Sequence, residues 1–191
     1  MDAIELGRIF STMTPCQAQG AAGSTPTVVF LLFFRPEDWH ILTIQKTNTV
    51  GYLWANQVAL PGGHVDQDDA SPLEAAFREL FEETGIEASE VDLFGSIGHF
   101  MTIADKDIEG FAGFWKRPRP LQVAFTEIAR VLELPLRDAL RSHLECGYAG
   151  RMPTVGELAY PIDDTCIWGA TARIIHCVCE QLAEHAAQFV E

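Results

Sequence analysis

Three glutamates, Glu79, Glu82 and Glu83, lie close together in the segment RELFEETGI. In a helix, residues three and four positions apart are neighbours, so these carboxylates would repel one another by roughly a few tenths of a kcal/mol per pair. Clustered carboxylate oxygens are also the ligands that Mg²⁺ or Mn²⁺ requires, usually together with water and substrate phosphates. The spacing therefore predicts either a divalent-metal site or a solvated acidic face, and the helix alone favours the acidic face.

Arg78 and the preceding loop shift the balance toward a metal site. Arg78 adjoins the glutamates and could orient a carboxylate through two parallel hydrogen bonds. Gly62 and Gly63 precede the helix and lack a Cβ, which would allow their backbone to approach a ligand. Asp66 and Asp69 could reach a metal through water, although solvated acids are more common in such loops. We therefore expect this loop and helix to form one site.

A helix that begins at Pro72 and is closed by Gly85 would position these side chains. Ser71 and Glu74 fit a capping box, and Pro72 suits the first helical position. Gly85 suits a left-handed cap at the carboxyl end. The expected core-facing stripe consists of Leu73, Ala76, Phe77, Leu80 and Thr84. The three glutamates are predicted to lie on the opposite face.

Short apolar runs separated by turns predict a β-sheet around this helix. TVVFLLFF is typical of a central strand, ILTIQK of its hairpin partner, and QVALPGG of a short strand ended by Pro61 and two glycines. Further strands are predicted at VDLFGSIGHFMT, GFAGFWK and EIARVLELP, and a short helix at LRDALRSH. A long amphipathic helix is predicted from Trp168 to about Val190. Residues 1–25 would form an N-terminal arm or short helix, and residues 26–191 a single domain.

The composition limits the class of function. A net charge of -14 excludes a nucleic-acid surface, which needs clustered Lys and Arg. The segment MDAIELGRIF lacks the features of a secretory signal, and the longest apolar run is too short to span a bilayer. Five scattered cysteines do not form a dense disulfide framework, which favours a reducing cytoplasm. Cys177 and Cys179 would point to different sides of a helix, so buried thiols are favoured over a metal site.

The segment RELFEETGI resembles the second half of the Nudix box, G-x5-E-x7-R-E-U-x-E-E-x-G-U with U an aliphatic residue. The corresponding region here is 63–86. The resemblance implies the Nudix fold, an α/β/α sandwich with a mixed β-sheet, and hydrolysis of a nucleoside diphosphate linked to another moiety. It implies that Glu79, Glu82 and Glu83 bind Mg²⁺ or Mn²⁺ beside a catalytic Arg78. The general base would be a box glutamate or Glu127, for which a surface carboxylate is an equally good interpretation.

A longer segment resembles the coenzyme A pyrophosphatase branch of this superfamily. QVALPGGHVDQDDASPLEAAFRELFEE is similar to its pattern QVAFPGGxxDxxDxSxxxxALRExxEE, in which Arg78 also arrives one residue late. EIARVLELPLRDAL and CIWGATARIIHCVCEQL extend the similarity over roughly residues 26–183. The resemblance implies cleavage of coenzyme A or a derivative to 3′,5′-ADP and a phosphopantetheine product. Lys46, Gly62 and Gly63 would then contact the substrate.

Departures from that pattern leave other functions open. Lys46 stands where the branch has an arginine, and no Arg or His follows it before the box. This favours ADP-ribose, NADH or another nucleotide as an alternative substrate. A further alternative is a Nudix-fold module that binds a nucleotide without catalysis. Trp54 and Phe100 could stack on a base, although large aromatics are more often core residues. The expected partner is a small-molecule nucleotide, and a homodimer is possible.

Overall fold

Strand β1 (Thr27–Phe34) lies at the centre of the fold because both of its faces are apolar. In the computed structural model, which describes residues 1–16, 27–35, 37–48, 55–154, 156–185 and 189, its side chains divide between two hydrophobic clusters. One cluster contains Val29, Leu31 and Phe33, and the other contains Val28, Phe30, Leu32 and Phe34. A strand buried on both faces requires a layer of structure on each side of its sheet.

Seven strands form this sheet among the residues that the structure describes. The other six are β2 (His40–Lys46), β3 (Val58–Ala59), β4 (Gly62–His64), β5 (Val91–Met101), β6 (Asp107–Trp115) and β7 (Ile128–Pro135). The order is β3-β2-β1-β6-β5, while β4 also pairs with β1 and β7 with β2. Strands β1 and β6 are parallel, and the other pairs are antiparallel. The predictions of a mixed sheet and of a β1–β2 hairpin are confirmed.

In the described part of the chain, four α-helices cover the two faces of the sheet. They are α1 (Ala3–Thr12), α2 (Pro72–Thr84), α3 (Leu136–Glu145) and α4 (Gly169–Leu182). Helix α2 packs against the Val28 cluster, and the other three helices pack against the Val29 cluster. This arrangement confirms the predicted α/β/α sandwich. Within the described ranges, no helix is long and apolar enough to cross a membrane.

The ends of α2 follow from local sequence. The Ser71 hydroxyl accepts a hydrogen bond from the Glu74 amide (3.2 Å). The Glu74 carboxylate accepts from the Ala70 amide (2.8 Å), one residue earlier than in the predicted capping box. Gly85 has a left-handed φ of 74°, and its amide donates to the Phe81 carbonyl (2.7 Å). The predicted helix start and stop are confirmed.

The region before α4 differs from the prediction. Strands β8 (Ala159–Ile162) and β9 (Thr165–Trp168) form a separate hairpin that the sequence analysis missed. Its two-residue turn places Asp163 at a φ of 47°. Helix α4 therefore begins at Gly169, and a short 3₁₀ helix follows it at Ala183–His185.

The cysteines also differ from expectation. Cys16 and Cys177 form a disulfide across a sequence separation of 161, so the prediction of a free buried thiol is wrong for Cys177. Cys179 is a buried free thiol, as predicted. Cys16 reaches α4 because its backbone bonds to strand β5, with its amide donating to Ile97 (3.0 Å) and its carbonyl accepting from His99 (2.7 Å). The bond thus joins the segment after α1 to α4.

Candidate active site

The two glycines of β4 lie against α2 and β1. A Cβ on Gly62, whose φ is 155°, would lie 2.1 Å from the Val28 carbonyl oxygen. A Cβ on Gly63 would lie 2.3 Å from Oε1 of Glu79. A Cβ on Gly62 would meet backbone atoms, so that position requires glycine. A Cβ on Gly63 would meet only the end of the Glu79 side chain, which would have to move. The approach of this backbone to a ligand stays a prediction. The glycines form β4 itself and do not end a strand as predicted.

Glu83 lies inside the protein at the junction of three elements. It is 3 % exposed. Its carboxylate accepts hydrogen bonds from the Gly62 amide (2.9 Å) and from Nζ of Lys46. The prediction that all three glutamates lie opposite the core is wrong for Glu83. It follows Ala76 by seven residues, which is nearly two helical turns, so both lie on the same side. Burial raises the pKa of Glu83, and the Lys46 charge opposes that effect.

The three carboxylates form a gradient from the interior to solvent. The exposed fraction of the side chain rises from 4 % at Glu83 to 17 % at Glu79 and 55 % at Glu82. Burial raises the pKa of Glu79, and hydrogen bonding to Arg78 opposes the increase. A solvated acidic face therefore describes Glu82 alone, and the other two carboxylates are held within the fold.

Arg78 connects the glutamates to the preceding loop. Its Nε and Nη2 atoms donate to both carboxylate oxygens of Asp69 (3.0 and 2.9 Å). Its Nη1 atom donates to Glu79 (3.0 Å) and Glu82 (3.1 Å), and Nη2 also donates to the His64 carbonyl (3.0 Å). The Asp69 carboxylate is the main reason that the pKa of Arg78 is raised, which keeps the guanidinium charged. Arg78 therefore fixes the positions of two of the three glutamates.

Asp69 is the residue of this site whose role the sequence analysis missed. Its side chain is only 5 % exposed, so the favoured interpretation as a solvated loop acid is wrong. Hydrogen bonds from Arg78 and from the Asp66 amide lower the pKa of its carboxyl group. Asp66 has a side chain that is 68 % exposed, as expected for a solvated acid. The sequence does indicate a role for Asp69, because this residue occupies the place where the general box pattern has a glutamate.

Lys46 and Glu127 approach the site from neighbouring strands. Lys46 ends β2, and the pairing of β2 with β7 shifts register between Gln45 and Lys46. Irregularities of this kind commonly redirect a side chain near functional sites. Glu127 is exposed and directly precedes β7. Its carbonyl oxygen accepts from the Thr47 amide (2.9 Å), so its backbone lies beside the end of β2. The catalytic role of Glu127 stays a prediction.

A cleft of about 200 Å³ opens beside the two glycines. Lys46, Gly62 and Gly63 line one part of it. The remaining walls come from β3, from the β5–β6 turn and from the start of α4, and include Gln57, Ala59, Thr102, Lys106 and Trp168. The structure thus brings Lys46, Gly62 and Gly63 together on one cleft, and their contact with a substrate stays a prediction.

Trp168 is an exposed aromatic residue of the cleft that the sequence analysis did not single out. Its exposed fraction is 43 %, and it immediately precedes Gly169, the first residue of α4. Phe100 is 6 % exposed and belongs to the core, in agreement with the favoured interpretation. Trp54 lies outside the described residues. Trp168 is thus an aromatic side chain that is placed to stack on a ligand in this cleft.

The donor set fits a hard divalent cation. Glu79, Glu82 and Glu83 supply carboxylate oxygens from one helix, and such oxygens are preferred by Mg²⁺ and by Mn²⁺. Lys46 and Arg78 are the cations that contact these glutamates among the residues described. Both glutamates whose pKa is raised would gain from further positive charge. The arrangement can therefore hold metal ions next to the cleft.

Comparison with known proteins adds independent information. A family model described as the NUDIX domain matches residues 24–138. The uncharacterized Nudix hydrolase NudL of Cronobacter sakazakii is 32 % identical over 154 residues, which is 78 % of each chain. NudL of Yersinia pestis is 29 % identical over 184 residues, covering 94 % of this chain and 90 % of the relative.

Solved structures share the fold at low identity. The NUDIX domain of Shewanella oneidensis NrtR, solved with ADP ribose, superposes with a TM-score of 0.55 at 19 % identity. That match covers 85 % of this chain and 90 % of the other. The Nudix hydrolase RenU of M. smegmatis gives a TM-score of 0.53 at 14 % identity, covering 88 % and 89 % of the two chains. These structures support the architecture described above.

Proposed function

This chain belongs to the Nudix family of hydrolases, which act on pyrophosphate bonds, and we propose that its substrate is coenzyme A or a derivative. The products would be 3′,5′-ADP and a phosphopantetheine. One observation carries the proposal. The segment IWGATA, which resembles the coenzyme A pyrophosphatase branch, joins the end of β9 to the start of α4, and its four residues 168–171 line the same cleft as Gly62 and Gly63.

Nudix hydrolases generally use divalent metal ions, and we assign Mg²⁺ or Mn²⁺ to the three glutamates of α2. When bound, the metal would neutralise the diphosphate and lower the pKa of a coordinated water. Arg78 would keep Glu79 and Glu82 oriented through the contacts described above. Glu127 would accept the proton of the attacking water, with a box glutamate as the alternative base.

Features of the cleft support a nucleotide that carries additional phosphate. Trp168 offers an exposed ring on which an adenine could stack. Ala170 and Thr171, in the first turn of α4, line the cleft, and a helix start attracts phosphate. Lys106, also on the wall, adds positive charge in a protein whose net charge is -14. Residues 139–191 lie beyond the family match, so the part of the cleft wall at the start of α4 would provide the specificity for the substrate.

ADP-ribose is the second candidate substrate. The NrtR NUDIX domain was solved with ADP ribose and shares the fold of this chain. The absence of Arg and His between Lys46 and the box also favours a nucleotide other than coenzyme A, and NADH belongs to the same group. Both candidates use the same three glutamates and differ only in what occupies the cleft beyond the diphosphate.

A binding module without catalysis is the third candidate. It would have no need for three mutually repelling carboxylates, of which two are held away from solvent at a cost in stability. Here the glutamates, Arg78 and Asp69 together form a connected network. That network favours the enzyme.

Turnover by the purified protein tests the proposal. Coenzyme A, dephospho-coenzyme A, ADP-ribose and NADH would each be incubated with Mg²⁺ or Mn²⁺, and products separated by chromatography. We expect preferential release of 3′,5′-ADP from coenzyme A. Preferential cleavage of ADP-ribose or NADH would overturn the substrate and retain the chemistry. Absence of metal-dependent turnover, together with nucleotide binding by calorimetry, would support the binding module.

Variants connect turnover to this site. Glu82→Gln and Glu83→Gln remove one charge each and keep the shape of the side chain. Asp68→Asn is the matched control, because Asp68 is an exposed acid in the loop that precedes the helix. We expect the two glutamine variants to lose at least about 100-fold in kcat/KM and the control to retain activity. Equal activity in all three folded variants would contradict the assignment.

A further inference from the structure

A second group of metal-binding side chains lies between α3 and α4. His143 belongs to α3, and His176 and Glu180 are one turn apart on α4. One donor atom from each of the three residues lies within 4.8 Å of the others. Both histidines are buried, and the Glu180 side chain is 30 % exposed. None of these residues belongs to the Nudix site, so the cluster needs an explanation of its own.

His176 is prepared to act as a ligand through one ring nitrogen. Its Nε2 atom lies 2.9 Å from the Arg151 carbonyl oxygen, which fixes the proton on Nε2. Its Nδ1 atom is buried and has no hydrogen-bond partner among the described residues. Such a lone pair is costly in the interior unless something occupies it. Histidine ligands of metals commonly donate their other N–H to a backbone carbonyl in this way.

His143 lies between a phenol and a carboxylate. Its Nδ1 atom is 3.0 Å from the Tyr160 hydroxyl, and its Nε2 atom is 2.6 Å from Oε1 of Glu180. The Tyr160 hydroxyl can accept or donate, so it can accept a hydrogen bond from Nδ1–H when Nε2 binds a metal.

Glu180 provides the acidic donor and lies at the edge of the cluster. Its two oxygens accept from the Gly150 amide at 3.0 and 3.2 Å. The loop that follows α3 therefore orients this carboxylate through Gly150 and orients His176 through the Arg151 carbonyl. Since Glu180 is the partly exposed member, it also marks the route by which an ion would enter.

We propose that His143, His176 and Glu180 form a binding site for a transition-metal ion of the Zn²⁺ class. His143 would bind through Nε2, His176 through Nδ1, and Glu180 through one oxygen. Zn²⁺ binds imidazole nitrogen and carboxylate oxygen at about 2.0–2.2 Å, so tetrahedral donors lie about 3.3 Å apart. The donor atoms of the cluster already lie within 4.8 Å of one another. Water would complete the coordination.

The ligand types separate this site from the Nudix site. Imidazole favours Zn²⁺ and related ions, whereas the carboxylates of α2 favour Mg²⁺ or Mn²⁺. The donor atoms of the cluster come from His143, His176 and Glu180, and Cys179 is not one of its members. A purely structural hydrogen-bond network explains His143 and Glu180 but leaves Nδ1 of His176 without a partner among the residues described. The metal site explains all three.

Metal binding by the full-length protein without a histidine tag tests the proposal. The protein would be treated with chelator, dialysed, and titrated with Zn²⁺ in the presence of excess Mg²⁺ by calorimetry. Co²⁺ would serve as the spectroscopic probe of coordination. We expect one Zn²⁺ per chain, a higher Tm with Zn²⁺, and visible Co²⁺ absorption typical of a four-coordinate site. Binding should persist in the Glu82→Gln/Glu83→Gln double variant.

Two variants and a control identify the ligands. Glu180→Gln retains the acceptor for Gly150, and His176→Gln retains a donor for the Arg151 carbonyl, so each is designed to keep the fold. Each should weaken Zn²⁺ binding by more than the roughly 10- to 100-fold loss typical when a hydrogen-bonding partner of a ligand is removed. Glu184→Gln, an exposed acid beyond α4, should bind normally. The proposal is wrong if wild-type protein binds no Zn²⁺, if neither folded variant loses affinity, or if binding disappears with Glu82 and Glu83.

Discussion

The backbone of Gly63 and the carboxylate of Glu79 occupy adjoining space, since a Cβ on Gly63 would lie 2.3 Å from Oε1 of Glu79. The contact joins α2 to β4, whose two glycines line the cleft. The face of the helix that carries Glu79 is therefore positioned by the absence of a side chain in a neighbouring strand.

Replacement of Gly63 by alanine should impair catalysis more than folding. The added methyl group must displace the Glu79 carboxylate, and a misplacement of about 1 Å in an active site can cost about 100-fold in rate. We expect Gly63→Ala to lose about that factor in kcat, measured at saturating metal. Gly156→Ala is the control, because a Cβ there meets nothing within 4 Å. Equal activity in the two variants would show that Glu79 need not lie against β4.

Loss of the Asp69 carboxylate should affect the orientation of Arg78. The amide of an asparagine at this position could accept only one of the two guanidinium hydrogen bonds that Asp69 accepts. We expect Asp69→Asn to lower kcat/KM by about 10- to 100-fold, as is typical for residues that orient ligands of a metal. Asp68→Asn serves as the matched control. A wild-type rate for Asp69→Asn would mean that Arg78 holds its position through the glutamates alone.

Removal of the Trp168 ring should weaken substrate binding. Stacking of a base on an aromatic side chain contributes about 1–3 kcal/mol, so Trp168→Ala should raise KM by about tenfold or more. The effect on kcat should be smaller because Trp168 lies at the end of β9, whereas the glutamates lie on α2. Trp168→Phe should restore most of the affinity. Steady-state kinetics on the best substrate would separate KM from kcat, and an unchanged KM for Trp168→Ala would exclude stacking.

The ion pair between Glu90 and Arg119 should make stability depend on pH. Arg119 donates to both oxygens of Glu90 (2.9 and 2.7 Å) and to the carbonyl of Gly85 at the end of α2 (2.7 Å). The hydrogen bonds that Glu90 accepts from Arg119 and from the Glu87 amide lower the pKa of Glu90 from 4.5 to about 2. A lowered folded-state pKa contributes stability above pH 4.5, which is lost as the pH falls toward 2.

Thermal unfolding followed by circular dichroism tests this dependence. Glu90→Gln should lower Tm at pH 7 by about 2 °C, the size expected for an exposed pair in a chain of this length. The difference from wild type should shrink as the pH approaches 2. Glu145→Gln, an exposed acid at the end of α3, provides the control. A difference that stays constant with pH would assign the effect to packing.

The parts of the fold that depend on local chemistry were predictable. Helix α2 is specified by Ser71, Pro72 and Gly85, which satisfy its ends without help from distant residues. Strand β1 was predictable because eight consecutive apolar or β-branched residues fit a strand buried on two faces. The hairpin before α4 was missed although Asp163 and Asp164 give it a two-residue turn, because its strands contain only four residues each.

The interactions that depend on distant parts of the chain were not predictable. Glu83 is buried because β4 and Lys46 cover it, and a helical pattern does not contain that information. Asp69 pairs with Arg78 only after the loop folds back on α2. The pairing of Cys16 with Cys177 depends on α1 and α4 lying on the same face of the sheet. Sequence pattern fixes elements, and three-dimensional packing decides which side chains meet.

The Cys16–Cys177 bond has a practical consequence for proteolysis. A single cut anywhere between these two residues, which are 161 positions apart, leaves two fragments that remain covalently joined. An oxidised sample nicked by a protease would therefore migrate as a full-length chain on a denaturing gel without reductant. The same sample would separate into two bands after reduction, so a comparison of the two gels reports both the state of the bond and the integrity of the chain.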